Sequence, residues 1–307
     1  MDGILNIDKP AGLTSFDVVA RVRRLSKEKR VGHAGTLDPA ATGVLPVCLG
    51  QGTRVIEYLV DTTKSYRAEI ELGVSTDTYD AEGKVTRQAD PAGISRARLD
   101  SALDSFRGQI EQVPPIYSAL KHQGKPLYEL ARAGINVELK SRPVTIHELE
   151  LIGFQQPTVT IEVVCGKGTY IRSIAHDLGQ ILGCGAHLKS LIRLRCGIFD
   201  IKDAVSMPQL EEAFRDGRGQ QFLHPIDSVL SDLSSVAVND DEANNIRNGR
   251  PLALESFSIP KQVETASENR SRAYTLDGKF IAVLRFNPDD GQWYPQKVFS
   301  QSDAIPE

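Results

Sequence analysis

A glycine-rich segment between Gly32 and Pro46 carries a single carboxylate, that of Asp38. Glycines let the backbone approach a ligand closely, so a loop of this composition can present a side chain to a bound molecule. Pro39 restricts the backbone of the preceding aspartate to extended values and so directs its side chain. Two interpretations remain open. Asp38 presents a reactive carboxylate to a ligand, or it only forms a turn, which is the commoner role of a loop aspartate.

Motifs for several other chemistries are absent from the sequence. Residues 166–169 lack the upstream glycine of a phosphate-binding P-loop, and Ile171 stands where a dinucleotide-binding motif needs its third glycine. No Gly-x-Ser-x-Gly or Pro-Cys-x-x-Cys segment occurs, which argues against a serine hydrolase and a zinc deaminase. Four cysteines form no Cys-x-x-Cys pair and are expected to be buried thiols without metal or disulfide: Cys48, Cys165, Cys184 and Cys196.

The composition, with 40% hydrophobic and 25% charged residues, is that of an ordinary globular protein. No apolar stretch approaches the length of a membrane-spanning helix, which is about 18 residues. The first residues do not have the pattern of a signal peptide, so we expect a cytoplasmic protein. The net charge of −4 arises in residues 231–307, which hold 12 acidic and 8 basic residues. Six basic residues suit phosphate contact or a solvated helix face: Arg21, Arg23, Arg24, Lys27, Lys29 and Arg30.

The periodicity of apolar residues predicts the elements that must position these groups. Strands are predicted at 4–8, 65–73, 144–154 and 158–165. Helices are predicted from a cap at Ser15, over 96–107, over 127–133 and over 170–182. Glycines and prolines crowd residues 31–53, which predicts a shaped loop with short flanking elements.

The composition changes near residue 230, which predicts two domains, 1–230 and 231–307. Residues 231–235 resemble a linker in composition. The second domain is predicted to contain a short helix over 241–248, a hairpin around Asp277-Gly278 and a strand over 293–299.

Six ordered motifs resemble those of the TruB family of tRNA pseudouridine-55 synthases. The strongest is the Gly-His-x-Gly-x-Leu-Asp-Pro core around Asp38. The six segments are 8–15, 32–46, 64–67, 76–83, 117–121 and 168–172. The resemblance implies an α+β fold with a mixed, mostly antiparallel sheet, followed by a small β-rich domain that resembles an RNA-binding PUA domain. It also implies isomerisation of uridine 55 in the T-loop, with no cofactor and no metal.

The resemblance assigns the nucleophile to Asp38. Arg172 is the matching guanidinium, which we expect to lower the pKa of the Asp38 carboxylate, and Asp80 is expected to hold Arg172. Lys9, with Pro10, resembles the residues that support the catalytic loop. The alternative for Arg172 is a salt bridge or cap at a helix terminus.

Four further residues are assigned to substrate binding by the same resemblance. Tyr66 matches the tyrosine that stacks on the target uracil and takes part in proton removal at C5. Tyr170 and Leu191 match pocket walls, and His33 matches the residue that fills the stack left by a flipped base. Tyr66 and Leu191 have an alternative as core residues, and His33 as a general acid or an ordinary loop residue.

The expected partner is the T-loop and T-stem of tRNA, bound by a monomer with no obligate protein partner and no membrane contact. Residues 114–142 carry several basic side chains and are expected to be an RNA-binding insertion that closes over tRNA. Three other interpretations remain open: a guide-RNA-dependent synthase of the dyskerin type, an RNA-binding protein without catalysis, and a carbohydrate enzyme that uses Asp38 and Asp80 as paired acids.

Overall fold

The computed structural model describes residues 1–118, 120–135, 137–253 and 269–300. The helices are α1 (Ser15–Ser26), α2 (Ile56–Asp61), α3 (Arg96–Asp104), α4 (Leu127–Arg132), α5 (Ile171–Leu182), α6 (Met207–Arg215) and α7 (Asp240–Arg247). The first strands are β1 (Gly3–Lys9), β2 (Val31–His33), β3 (Thr42–Leu49), β4 (Lys64–Leu72), β5 (Val74–Thr76), β6 (Val85–Gln88), β7 (Gly108–Gln112), β8 (Lys121–His122) and β9 (Lys125–Pro126). The later strands are β10 (Arg142–Gln155), β11 (Thr158–Cys165), β12 (Ala186–Cys196), β13 (Phe199–Asp200), β14 (Val205–Ser206), β15 (Leu223–His224), β16 (Ser234–Val238), β17 (Arg270–Thr275), β18 (Phe280–Asn287) and β19 (Gln292–Val298).

A large mixed sheet organises most of the chain. Its strands run in the order β14-β1-β3-β12-β4-β11-β10-β7, with β2 paired to β3, β15 to β1 and β13 to β12. The pairings of β1 with β14 and of β3 with β12 are parallel, and the neighbouring pairings are antiparallel. The expected α+β class, with a mostly antiparallel sheet and a separate small sheet, is confirmed.

The sheet has two halves that meet where β3 and β12 pair through a short parallel register. Thr42 lies opposite Ile192, and Gly43 lies opposite Arg193. Helices α3 and α5 bury their apolar faces against β4, β11 and β12, whereas α1 and α6 pack on β1 and β3. The segment with Asp38 runs just ahead of β3, so it reaches the surface at the junction of the two halves.

The start of α1 differs from the prediction. Thr14, not Ser15, is the N-cap, and its side chain exchanges hydrogen bonds with Asp17 in a capping box. Phe16, which the apolar spacing placed on the packed side, is 66% exposed. A cap one residue earlier frees the Ser15 hydroxyl for a contact with another segment.

The predicted loop over residues 31–53 is also partly wrong, because it contains the eight-residue strand β3. Gly43 lies within that strand at φ +98°, and a Cβ there would come 2.3 Å from the carbonyl oxygen of Arg193. Glycine is therefore required by the close approach of β3 and β12, not by a turn.

The C-terminal sheet has the order β16-β17-β18-β19. The predicted hairpin is confirmed, since β17 and β18 are antiparallel and flank Asp277-Gly278. The predicted linker is partly wrong, because Ser234 and Ser235 begin β16 and pair with β17. Leu230 and Leu233 are buried in one cluster with residues of both sheets, so this junction is packed.

Candidate active site

The loop that carries Asp38 is fixed by contacts with the N-terminal segment. The Ser15 hydroxyl accepts a hydrogen bond from the Leu37 amide at 2.9 Å and donates one to the Leu37 carbonyl at 3.1 Å. The Gly12 amide donates to the Pro39 carbonyl at 2.9 Å. Because Leu37 and Pro39 flank Asp38, the backbone is held on both sides of the carboxylate.

Lys9 lies completely buried beneath the same loop. Its ammonium group donates to the carbonyls of Pro10 at 2.9 Å, Leu13 at 2.7 Å and Pro39 at 3.2 Å. Burial lowers the pKa of the Lys9 amine to about 8, although the nearby charge of Asp38 acts in the opposite direction. These contacts join the end of β1 to the Asp38 loop, which is the supporting position expected for Lys9.

Arg172 connects two carboxylates from distant parts of the chain. Its Nε lies 2.9 Å from Oδ2 of Asp38, and its Nη1 lies 3.4 Å from Oδ2 of Asp80. The same guanidinium donates to the carbonyls of Thr78 at 3.4 Å and Tyr117 at 2.9 Å. Arg172 is the second residue of α5, so it is held by a packed helix and does not merely cap a terminus.

Arg172 lowers the pKa of Asp38, as expected, but the pKa as a whole lies above its usual value. Burial is the largest cause, and the charge of Asp80 acts in the same direction. Arg172 and Lys9 favour the ionised carboxylate but do not offset these effects. The Asp38 side chain is nevertheless 42% exposed, because one face opens into a cavity.

That cavity has a volume of about 260 Å³ and is lined by Asp38 together with Tyr66, Tyr170, Arg172 and Leu191. Tyr66 and Leu191 lie on the adjacent strands β4 and β12. The structure thus brings together the predicted nucleophile, both tyrosines, the arginine and the leucine.

Tyr170 is placed by interactions of its backbone and its ring. Its amide donates to Oε1 of Gln112 at 2.8 Å, and its carbonyl accepts from Nε2 of the same buried side chain at 3.1 Å. The Arg142 guanidinium lies over the Tyr170 ring, 5.2 Å from its centroid. Arg142 belongs to the expected RNA-binding insertion, which therefore contacts the cavity wall directly.

His33 lies in a second, wider cavity of about 710 Å³ that shares Asp38 and Arg172 with the first. Phe16 and Tyr117 also line it. Burial, followed by the charge of Arg193, lowers the pKa of the His33 imidazole. A neutral imidazole that shares a cavity with an exposed phenyl ring suits contact with flat, uncharged groups such as nucleobases.

The sequence interpretation missed Arg193 and Lys64, which also line the smaller cavity. Arg193 is 1% exposed, and Lys64 donates to three carbonyls near the end of α2. Alternation along a strand would have placed Arg193 on the same face as Leu191. The sequence did not indicate which residues a buried arginine in that strand would contact.

Among the described residues, no group of His, Cys, Asp and Glu has the arrangement of a metal site. The four cysteines are all buried, as expected. Burial raises the pKa of the Cys48 thiol to about 12 and that of Cys165 to about 11. No helix in the described part of the chain is long and apolar enough to cross a bilayer.

The whole chain resembles solved structures of the pseudouridine synthase fold. A H/ACA RNP bound to a substrate RNA containing 2′-deoxyuridine includes a chain that superimposes with a TM-score of 0.73 at 24% identity. The match covers 99% of this protein and 87% of that chain. A chain of a Cbf5-Nop10-Gar1 complex has a TM-score of 0.72 at 24% identity, with coverage of 97% and 84%.

Sequence similarity then defines the family. Residues 23–171 match the N-terminal domain of TruB family pseudouridylate synthases, and residues 172–231 match the C-terminal domain of tRNA pseudouridylate synthase B. The tRNA pseudouridine synthase B of Dehalococcoides mccartyi is 45% identical over 100% of this chain and 99% of its own length. The homologue of Geobacillus kaustophilus is 46% identical over 84% and 93%. The chain belongs to the tRNA pseudouridine synthase B family, whose enzymes make pseudouridine in tRNA.

Proposed function

We propose that this enzyme isomerises uridine 55 in the T-loop of tRNA, with Asp38 as the nucleophile. The observation that carries the proposal is the position of Asp38, which is paired with buried Arg172 and open to the cavity on its other face. Family membership supports the reaction and the tRNA substrate. The choice of position 55 is supported by the six motifs that resemble the TruB pattern.

The isomerisation requires the bond between C1′ and N1 of uridine to break and a bond between C1′ and C5 to form. The proton leaves C5, and N1 takes up a proton, so the product has the composition of the substrate. A carboxylate suits this chemistry because it can stabilise or bond to an electron-poor carbon while the base turns.

Arg172 and Asp80 are proposed to prepare Asp38 for this step. The buried guanidinium favours the ionised carboxylate, and its two donors fix the direction of the carboxylate oxygens. Asp80 holds the third guanidinium nitrogen and so restrains Arg172. Lys9 stabilises the loop from below.

The target uridine is proposed to leave its stack before it reaches Asp38. Asp38 lies within a cavity, so a base within a folded loop must turn outward, at a cost of a few kcal/mol. Tyr66 then stacks on the uracil, with Tyr170 and Leu191 as walls. His33, in the wider cavity, replaces the missing base in the RNA stack.

Phe16 is proposed to support neighbouring bases in that wider cavity, because its exposed ring lines the same cavity as His33. Residues 114–142 are proposed to close over the bound RNA. Lys125 and Lys140 in this segment are exposed, and Ala119 and Asn136 lie outside the described residues. If bound tRNA protects this segment from limited proteolysis, the result would support closure. Unchanged cleavage in the presence of tRNA would contradict it.

The enzyme is proposed to act in the cytoplasm as a monomer, without guide RNA, metal or cofactor. Residues 231–307 are proposed to form a PUA-like RNA-binding domain whose contribution is limited by its acidic character. Parts of that domain, 254–268 and 301–307, lie outside the described residues.

Site-mapped pseudouridine formation on an unmodified elongator tRNA transcript tests the proposal. The wild type and Asp38→Asn are compared in EDTA, with Asp232→Asn as a control at an exposed aspartate that lines neither cavity. Pseudouridine only at position 55, formed by the wild type and the control but not by Asp38→Asn, is expected. Binding of tRNA by the wild type without pseudouridine would favour a guide-dependent enzyme or a binding protein.

A further inference from the structure

Arg193 is a buried cation in the centre of the large sheet. Its side chain is 1% exposed, and within the described residues no carboxylate lies at ion-pair distance from it. Its Nε donates to the Val44 carbonyl at 2.6 Å, and its Nη2 donates to the Gly35 carbonyl at 3.1 Å. Removing a charge from water without a counter-charge is costly, so a hydrophobic residue would stabilise this position more readily.

The position of Arg193 joins the two parts of the active site. Arg193 lies directly opposite Tyr66 in the antiparallel pairing of β12 and β4, and opposite Gly43 in the parallel pairing with β3. Directly opposed residues of antiparallel strands point to the same face, and here both side chains line the cavity that contains Asp38. The carbonyl of Gly35 belongs to the loop that presents Asp38.

The Tyr66 phenol and the Arg193 guanidinium line the same cavity and interact electrostatically. Burial raises the pKa of the Tyr66 phenol, and the positive charge of Arg193 is the largest influence in the opposite direction. The buried charge of Arg193 therefore stabilises a phenolate that forms at Tyr66 in this cavity.

We infer that Arg193 is a positioning residue that acts through Tyr66. It directs the phenol oxygen towards C5 of the turned uracil and stabilises the negative charge on that oxygen before it accepts the C5 proton. This inference rests on the proposed function and extends it. When the C5–H bond breaks, its proton passes to the Tyr66 oxygen, the electron pair stays in the ring, and N1 takes a proton from water. The phenol then returns its proton to the hydroxide that this water leaves, which restores both the phenolate and the water.

A double-mutant cycle tests whether Arg193 acts through Tyr66. Single-turnover rates on the tRNA transcript are compared for Arg193→Met, Tyr66→Phe and the double variant. Arg193→Met is expected to slow turnover by about 100-fold, the scale of a lost acid–base contribution. The double variant is expected to be no slower than Tyr66→Phe, because the arginine has no phenol to act on.

Arg195→Met is the matched control, since it removes the same charge from the exposed face of the same strand. Its rate is expected to stay within about twofold of the wild-type rate, as for most surface substitutions. A double variant slowed by the product of the two single effects would overturn the inference and make Arg193 a purely structural residue.

The titration of Tyr66 gives a second measurement that requires no turnover. Tyrosine labelled with ¹³C at Cζ is followed by NMR in the full chain, and Tyr66→Phe identifies the resonance among the 8 tyrosines. Arg193→Met is expected to raise the pKa of Tyr66 by about 1 unit, and Arg193→Lys to keep it near the wild-type value. An unchanged titration in Arg193→Met would overturn the inference.

If Arg193→Met does not fold, the double-mutant cycle is made with Arg193→Lys. This variant keeps the charge but loses the hydrogen bonds to the carbonyls of Val44 and Gly35. Multiplicative slowing in that cycle would equally overturn the inference. Failure of the proposed function has a different signature, because the wild type itself would then form no pseudouridine while the Tyr66 titration could still be measured.

Discussion

The Arg172 guanidinium and the Asp38 carboxylate form a bidentate ion pair, with Nε 2.9 Å from Oδ2 and Nη2 3.3 Å from Oδ1. The arginine side chain is 6% exposed and the aspartate 42%. The pair therefore buries the cation and leaves Asp38, the proposed nucleophile, accessible. A substrate that covers Asp38 also excludes water, which strengthens the attraction between the two charges.

Arg172→Lys is expected to lower kcat by about 100-fold, because a lysine cannot contact both carboxylate oxygens of Asp38 with two nitrogens at once. Single-turnover pseudouridine formation measures the effect. Arg67→Lys is the control, since Arg67 makes a similar contact with Glu162 on the exposed surface of the same sheet. Equal rates for the two variants would show that the contact of Arg172 with both Asp38 oxygens does not contribute to catalysis.

The pH dependence of kcat/KM is expected to have an acidic limb set by Asp38, whose raised pKa is caused first by burial. The charge of Asp80 also raises this pKa, so Asp80→Asn is expected to move the limb to lower pH. The maximum rate falls at the same time because Arg172 loses a charged partner. Asp77→Asn, at an exposed residue that lines neither cavity, controls for general charge. A limb that does not move in Asp80→Asn would contradict the expectation.

Asp177→Asn is expected to stabilise the protein at neutral pH. Burial raises the pKa of Asp177 from 3.8 to about 6, so the folded protein holds this proton more tightly than the unfolded chain. The free energy of unfolding therefore falls as the pH rises between those two values. Denaturation at several pH values measures this slope, which Asp177→Asn reduces and the exposed control Asp232→Asn leaves unchanged. An unchanged slope in Asp177→Asn would show that the group is not buried as a carboxylic acid.

Phe16→Ala is expected to raise KM for tRNA by about 10-fold with kcat unchanged, because a base loses its stacking surface. Phe16→Trp preserves a flat ring and is expected to keep KM near the wild-type value. Leu276→Ala provides the control, since Leu276 is 76% exposed in the C-terminal hairpin. If Phe16→Ala and Leu276→Ala have the same KM, the wider cavity does not bind bases through this ring.

Local patterns predicted many elements because the forces that define them act between near neighbours. The alternation over 158–165 coincides with β11, and the apolar spacing over 170–182 agrees with α5 to within one residue. Strand β3 was missed because Gly43 and Pro46 favour turns, whereas the close approach of Arg193 makes glycine necessary there. That approach joins residues far apart in sequence, so no local window contains it.

By itself, the sequence determined the family and which residues to expect at the site, because the motif around Asp38 and the segments of Asp80 and Arg172 resemble one family in order and type. Only the tertiary structure decided how they are arranged. Arg172 and Asp38 are 134 positions apart, and their contact exists because α5 and the loop before β3 meet at the junction of the sheet. The raised pKa of Asp38 and the burial of Arg193 beside Tyr66 depend likewise on the exclusion of water, which arises only when distant segments pack together.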